Sequence, residues 1–217
     1  MRSVLLTALA AALAIPLHGE PNAVLRVDFS NPGLYPSNWT LEIHPDGTGH
    51  FHAEGGTRPA DEAELMLPGK VDRDVILSEG FTKGVFDTVR HNKLLNEDCD
   101  SHMKVAFQGT KKIIYDGPDG HGGCEFNYSR NKDIQQLGES LVGVGSTLLE
   151  GARLELLLQH DPLGLDRATE FIMEASGDGR LQQICAIRGI LERLESDPRV
   201  LDRVRKRARI LLAKGEN

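Results

Sequence analysis

The stretch CDSHMKVAFQGTKKIIYDGPDGHGGC, residues 99–124, carries a cysteine at each end and two short apolar runs between them. Residues 103–107 alternate apolar with polar or small side chains, and residues 111–115 end in apolar side chains, both of which are typical of β-strands. Gly109 lies between the runs, where a turn favours a residue that adopts positive φ at low cost. The sequence therefore predicts a β-hairpin here, followed by an irregular glycine-rich loop over residues 116–123.

The two ends of a hairpin lie close together, so Cys99 and Cys124 are predicted to form a disulfide bond. In the chain-entropy description, closing a loop of this length stabilises the fold by roughly 3–4 kcal/mol. The alternative is a pair of reduced thiols, which a reducing compartment would favour. The third cysteine, Cys185, has apolar neighbours in the sequence and is predicted to be a free, small packing residue.

Residues 1–19 have the features of a secretory signal peptide. Arg2 is followed by an apolar run over residues 4–15 and by small residues that fit a cleavage site at residues 12–14 or after Gly19. The run is shorter than the about 20 apolar residues that a membrane-spanning helix needs, and the sequence has no second long apolar segment. We therefore expect a secreted or periplasmic protein with no transmembrane segment in its mature chain and no nucleic-acid partner. The alternative is a buried N-terminal helix.

The hydrophobic period changes near residue 130 and divides the rest of the chain in two. Residues 20–130 contain several strand patterns and one helix pattern over residues 79–91, with Ser78 as its predicted N-cap. Residues 131–217 have a period near 3.6, which predicts three or four helices. The expected fold class is thus α+β, a small antiparallel β-sheet with one helix followed by a C-terminal three- to four-helix segment. That segment is either a separate domain or a layer packed on the sheet.

The clearest hairpin pattern is centred on the turn residues 45–48. It pairs Glu42 with His50 and Thr40 with His52, and it places aromatic and aliphatic residues on the opposite face. The polar face then holds Glu42, His44, His50 and His52. Imidazole and carboxylate groups are usual ligands of zinc and copper, so a metal site is one interpretation. The simpler one is a solvated polar face.

A second acidic group is expected near the predicted disulfide bond. It consists of Glu97, Asp98, Asp100, Asp116 and Asp119, with His121 beside them. Carboxylates on loops can bind calcium, although the sequence lacks the spacing of an EF-hand loop. The alternative is a set of exposed acids without an ion.

The C-terminal stretch from residue 199 has seven Lys or Arg residues and two acids, a net charge of 7 − 2 = +5. Such a helix could lie on an anionic membrane surface. It also has an apolar stripe that includes Val204 and Leu211, which predicts packing against the helix pattern of residues 181–194. We expect the stripe to be part of the core, with the basic side chains on a solvated face.

The sequence contains no serine-hydrolase elbow, dinucleotide-binding or C-x-x-C motif in a usable context. The leading hypothesis is an exported, non-enzymatic binding or structural module whose partner, either a protein or a component of the cell envelope, is unknown. The second is a metal-binding protein that uses the histidine hairpin. The third is a hydrolase of unrecognised type. No organic cofactor is expected.

Overall fold

The computed structural model describes residues 23–58 and 66–215, so the predicted signal peptide lies outside the described residues. Within these ranges the chain forms a six-stranded antiparallel sheet and five α-helices, which confirms the predicted α+β class. The strands are β1 (Val24–Ser30), β2 (Asn38–Ile43), β3 (Thr48–Glu54), β4 (Val71–Ile76), β5 (Thr110–Gly117) and β6 (Gly120–Phe126). The helices are α1 (Glu79–His91), α2 (Lys132–His160), α3 (Gly164–Gly177), α4 (Arg188–Ser196) and α5 (Asp202–Lys214).

The strands lie in the order β4-β3-β2-β1-β5-β6, and every neighbouring pair is antiparallel. β1 to β4 form a meander, and β5 returns to pair with the free side of β1. The register of β2 and β3 is the predicted one, with Glu42 opposite His50 and Thr40 opposite His52. The turn is fixed by Asp46, whose carboxylate accepts hydrogen bonds from the Thr48 backbone and hydroxyl.

Alternate side chains of each strand point to the core, which lies between one face of the sheet and the helices. The core cluster combines strand residues such as Leu41 and Phe51 with helix residues such as Leu148 and Leu191. The helical segment is therefore a layer packed on the sheet. The other face of the sheet carries mostly polar side chains.

Helix α1 has the predicted bounds because its first turn is capped. The Ser78 hydroxyl accepts a hydrogen bond from the Phe81 backbone N–H at 3.4 Å. Val85, Phe86 and Val89 then lie on one face and are buried.

The hairpin predicted within residues 103–107 and 111–115 is wrong. Residues 103–107 form no strand, and β5 pairs instead with β6 across a turn at residues 118–119. The glycines that suggested an irregular loop lie in strands, Gly117 in β5 and Gly120, Gly122 and Gly123 in β6. A Cβ atom at Gly122 would lie 1.9 Å from the Leu94 carbonyl oxygen, so only glycine fits where the neighbouring turn approaches. Cys99 and Cys124 nevertheless form a disulfide bond, because the chain from α1 returns to β6.

Helix α2 contains four glycines and continues through them without a break. Three of these glycines lie against large side chains of other elements. A Cβ atom at Gly138, Gly145 or Gly151 would lie within 3 Å of the side chains of Phe126, Trp39 and Ile187, respectively. The glycines therefore allow close packing of α2.

The helix predicted over residues 181–194 begins later, as a 3-10 turn at Ile184–Ile187 followed by α4. α4 and α5 pack on each other, and Leu194, Val204 and Leu211 are buried. None of the helices in residues 23–58 and 66–215 is long and apolar enough to cross a membrane. Residues 63–67 also have a strand pattern in the sequence, but residues 63–65 lie outside the described residues, and Met66 and Leu67 are not in a strand.

Candidate functional site

The predicted histidine face lies on the solvent side of β3, where His50 and His52 point the same way. His50 Nδ1 is 2.9 Å from Asp74 Oδ1, and His52 Nδ1 is 2.8 Å from Asp72 Oδ2. His50 Nε2 also lies 3.3 Å from Asp72 Oδ1. The hydrogen bond to Asp74, with a further contribution from the charge of Asp72, raises the pKa of His50. In turn, the hydrogen bond from His52 lowers the pKa of Asp72.

Glu42 and His44, the other two predicted ligands, do not complete a site with these histidines. Glu42 Oε1 is 3.7 Å from Arg26 Nη1 on β1, and His44 lies at the start of the β2–β3 turn. Across residues 23–58 and 66–215, no three His, Cys, Asp or Glu side chains converge in an arrangement that could hold a metal ion. A zinc or copper site at this hairpin stays a prediction that metal analysis must test.

Sequence reasoning missed Asp72 and Asp74 as neighbours of the histidines. A signal was present, since Asp72 and Asp74 are two residues apart and are flanked by Val71 and Val75, and β4 pairs with β3. Their partners are fixed by register, with Asp74 opposite His50 and Asp72 opposite His52.

The acids expected near the disulfide bond all have partners in the protein, and Asp98 and Asp100 share His102. Asp98 lies 2.7 Å from His102, and Asp116 lies 2.6 Å from His121. The remaining contacts join Glu97 to Lys93, Asp100 to the backbone N–H groups of His102 and Asn127, and Asp119 to Arg90 and Tyr115. Calcium binding there also stays a prediction.

Three basic side chains of α5 contact acids of the neighbouring helices, while Arg205 and Lys206 contact Asp202 of α5 itself. Arg203 Nε and Arg207 Nη1 lie 2.7 and 2.6 Å from Asp166 Oδ1 on α3. Arg209 Nε lies 2.8 Å from Glu195 Oε1 on α4. These contacts join α5 to the rest of the helical layer, as expected for a packed helix.

A cavity of about 220 Å³ opens between the loop after β1, the chain before β4 and helices α2 and α3. All but three of its fourteen lining residues are apolar or aromatic, and the polar exceptions, Ser146, Glu150 and Arg153, lie on α2. Apolar walls with a few polar groups are typical of small-molecule sites. We call this the aromatic cavity, after four of its lining residues, Phe29, Tyr35, Trp39 and Phe171.

The aromatic wall is fixed by packing inside the fold. The rings of Phe29 and Trp39 stack with their centroids 5.0 Å apart, and the centroid of the Phe51 ring lies 5.8 Å from that of Trp39. Gly145 of α2 lies against the Trp39 ring. The indole is therefore held in one position, with part of its surface in the cavity.

Glu150 and Arg153 supply the charged groups of the aromatic cavity. Glu150 Oε2 and Arg153 Nη1 are 3.4 Å apart, and both side chains are more than four-fifths buried. Burial raises the pKa of Glu150, and the nearby guanidinium only partly offsets this effect. A largely buried carboxyl group in an apolar cavity is a common feature of functional sites.

A second cavity, of about 490 Å³, shares Val142, Ser146, Phe171 and Leu181 with the aromatic cavity. It extends toward Lys111, whose Nζ donates to the Asn127 carbonyl oxygen at 2.7 Å. Burial lowers the pKa of this lysine. We call this second cavity the polar cavity.

Sequence reasoning missed both cavities. Their walls come from strands, loops and helices that are far apart in the chain, and hydrophobic period indicates only that these residues are buried. No protein-family model matches the chain, and no curated protein matches it.

Proposed function

We propose that the protein is an exported, non-enzymatic binding protein whose ligand occupies the aromatic cavity. The observation that supports this is an apolar cavity whose wall includes a stacked phenylalanine and tryptophan and a buried Glu150–Arg153 pair. Export is supported by the signal-peptide pattern of residues 1–19 and by the Cys99–Cys124 disulfide bond.

A binding role fits the chemistry of the lining better than catalysis does. Ser146 is the hydroxyl group on the helical wall, and among the described residues that line either cavity there is no histidine or cysteine. An activated serine normally needs a base such as histidine within hydrogen-bond reach, and the lining groups Lys111 and Glu150 contact backbone carbonyl groups and Arg153 instead. Burial of apolar ligand surface, in contrast, needs only the walls that are present, at about 25 cal/mol per Å².

The test uses fluorescence, because Trp39 is the single tryptophan of the chain and lines the cavity. The neutral apolar fluorophore N-phenyl-1-naphthylamine accepts energy from tryptophan. We expect saturable energy transfer from Trp39 to the bound probe.

Two variants of helix α2 provide the matched comparison. Ser146→Leu adds a side chain that fills the cavity, and Ser140→Leu adds the same side chain two turns earlier, outside both cavities. Ser146→Leu should weaken probe binding by about tenfold or more, which corresponds to about 1.4 kcal/mol. Ser140→Leu should bind as the unaltered protein does. Equal binding by both folded variants would contradict the proposed site.

A further inference from the structure

Phe171 is the aromatic residue that lines both cavities. Its side chain is partly exposed, and the guanidinium carbon of Arg180 lies 5.3 Å from the ring centroid. Arg180 is held in turn by Asp178, whose Oδ2 accepts from Nε at 2.8 Å. The ring therefore lies where the cavities meet, and the Arg180 guanidinium lies over one of its faces.

The two cavities share three further residues besides Phe171. Val142 and Ser146 are one turn apart on α2, and Leu181 follows α3. The wall residues Glu139, Val142, Ser146, Leu149 and Arg153 follow one another at three- or four-residue steps along α2. At 1.5 Å per residue, the wall is about 20 Å long. The two cavities thus lie end to end along one helix face.

The charged groups that line the two cavities already have partners within the protein. Glu150 faces Arg153, Asp178 faces Arg180, and Glu139 Oε1 accepts from Gln135 Nε2 at 2.7 Å. Lys111 donates to two backbone carbonyl groups. A charged ligand would have to displace one of these contacts, whereas a neutral apolar ligand leaves them intact.

We propose that the ligand of the aromatic cavity is a neutral molecule with an unbranched aliphatic chain, and that Phe171, where this cavity meets the polar cavity, determines the longest chain that fits. The inference rests on the proposed function. The chain lies along the aromatic cavity, and the Phe171 ring stops it from entering the polar cavity. Val142, Leu149 and Leu181 provide the apolar surface against which the chain packs.

The test is competition between N-phenyl-1-naphthylamine and straight-chain primary alcohols from hexanol to tetradecanol. Each added methylene that is buried should tighten binding about fourfold, the equivalent of about 0.8 kcal/mol. In the unaltered protein, the increase in affinity with each added methylene should stop at a chain length between those of hexanol and tetradecanol. In Phe171→Ala the gain should continue to longer alcohols, and Phe171→Leu should give an intermediate limit.

Phe81→Ala is the matched control, since Phe81 is a partly buried phenylalanine on α1 that lines neither cavity. It should keep the original length limit, and circular dichroism should show that all variants are folded. An unchanged limit in folded Phe171→Ala would overturn the inference and leave the proposed function standing. Failure of the unaltered protein to bind the probe would overturn both.

Sedimentation analysis tests for a different occupant of the two cavities, a second copy of the chain. If the protein is a dimer that Val142→Asp dissociates and the alcohols do not affect, a second copy of the chain covers these cavities. That result would also overturn the inference. A monomer whose alcohol binding follows the expected length dependence supports it.

Discussion

Gly145 and Trp39 are in direct contact, and a Cβ atom at Gly145 would lie 2.8 Å from Cε2 and Cζ2 of the indole. The indole cannot move away easily, because Phe29 stacks on it at 5.0 Å and Phe51 lies 5.8 Å from it. Helix α2 therefore lies close against the sheet at this point, and Trp39 on the sheet side of the contact lines the aromatic cavity.

Gly145→Ala should lower the melting temperature, although alanine normally favours a helix over glycine by about 1 kcal/mol. The added methyl group would force Trp39 or α2 to shift, and overpacking typically costs about 1–3 kcal/mol. The matched control is Gly84→Ala in α1, where a Cβ atom would meet nothing within 4 Å. Gly84→Ala should raise the melting temperature, and an equal rise in Gly145→Ala would contradict the close contact.

Glu150→Gln should make the protein more stable at neutral pH. Burial raises the folded-state pKa of Glu150 above its ordinary value of 4.5, so the unfolded chain loses this proton more readily. Ionisation of Glu150 therefore costs stability as the pH rises from the unfolded pKa through the folded one. Urea unfolding at several pH values should show a gain at pH 7 that disappears toward pH 4. A loss of stability at pH 7 would show instead that the pair with Arg153 outweighs burial.

The imidazole of His50 should titrate above its ordinary pKa of 6.5, mainly because Asp74 accepts its hydrogen bond. A folded-state pKa that is raised means that protonation of His50 stabilises the fold below pH 6.5, and that this contribution is lost as the pH rises through the folded pKa. NMR titration of the ring protons should show the pKa fall toward 6.5 in Asp74→Asn. Asp116→Asn, which removes a partner of His121 instead, should leave the His50 titration unchanged.

Alkylation without reduction should label one thiol, Cys185, because Cys99 and Cys124 are joined. Cys99→Ser with Cys124→Ser should lower the free energy of unfolding by roughly 3–4 kcal/mol, since the bond closes a loop of 25 residues. Mass spectrometry measures the labelling and urea unfolding the stability. Labelling of all three thiols, or a bridge to Cys185, would refute the pairing.

Leu211→Asp should strongly destabilise the protein, because Leu211 is fully buried between α5 and its neighbours. The change removes about 1.5–3 kcal/mol of apolar burial and adds the cost of a buried charge. Arg209→Ala is the control on the same helix, and its exposed contact with Glu195 should contribute little. If Leu211→Asp kept full stability while Arg209→Ala abolished binding to anionic vesicles, α5 would be a membrane-surface helix.

The sequence was sufficient where a strong local signal fixed the structure. The β2–β3 register followed from a Pro-Asp-Gly turn flanked by alternating side chains, and α1 begins at Glu79 because Ser78 before it caps the helix. Both signals act over a few residues and need no knowledge of the rest of the fold.

The sequence was insufficient to predict the structure where contacts between residues far apart in the chain determined it. Residues 103–107 have the period of a strand but find no partner, and Met103 and Phe107 are about half exposed. The glycines of β6 indicate a loop when the sequence is considered alone. The structure shows why a strand residue there is glycine, because Gly122 lies against the Leu94 backbone. The aromatic cavity was hidden for the same reason, since Trp39, Glu150 and Phe171 meet only through long-range packing.

The turn at Lys93–Leu95 protects an edge of the sheet that would otherwise be open to other molecules. β6 is the last strand in the sheet order, and Asn96 Nδ2 donates to the His121 carbonyl oxygen at 2.9 Å. Unpaired backbone groups on an edge strand are a template for intermolecular strand pairing and aggregation. The chain that leaves this turn reaches Cys99 and is bonded to Cys124 in β6. The disulfide bond thus ties the segment that covers this edge to the edge strand itself, so reduction of the bond would remove the covalent link that keeps the edge covered.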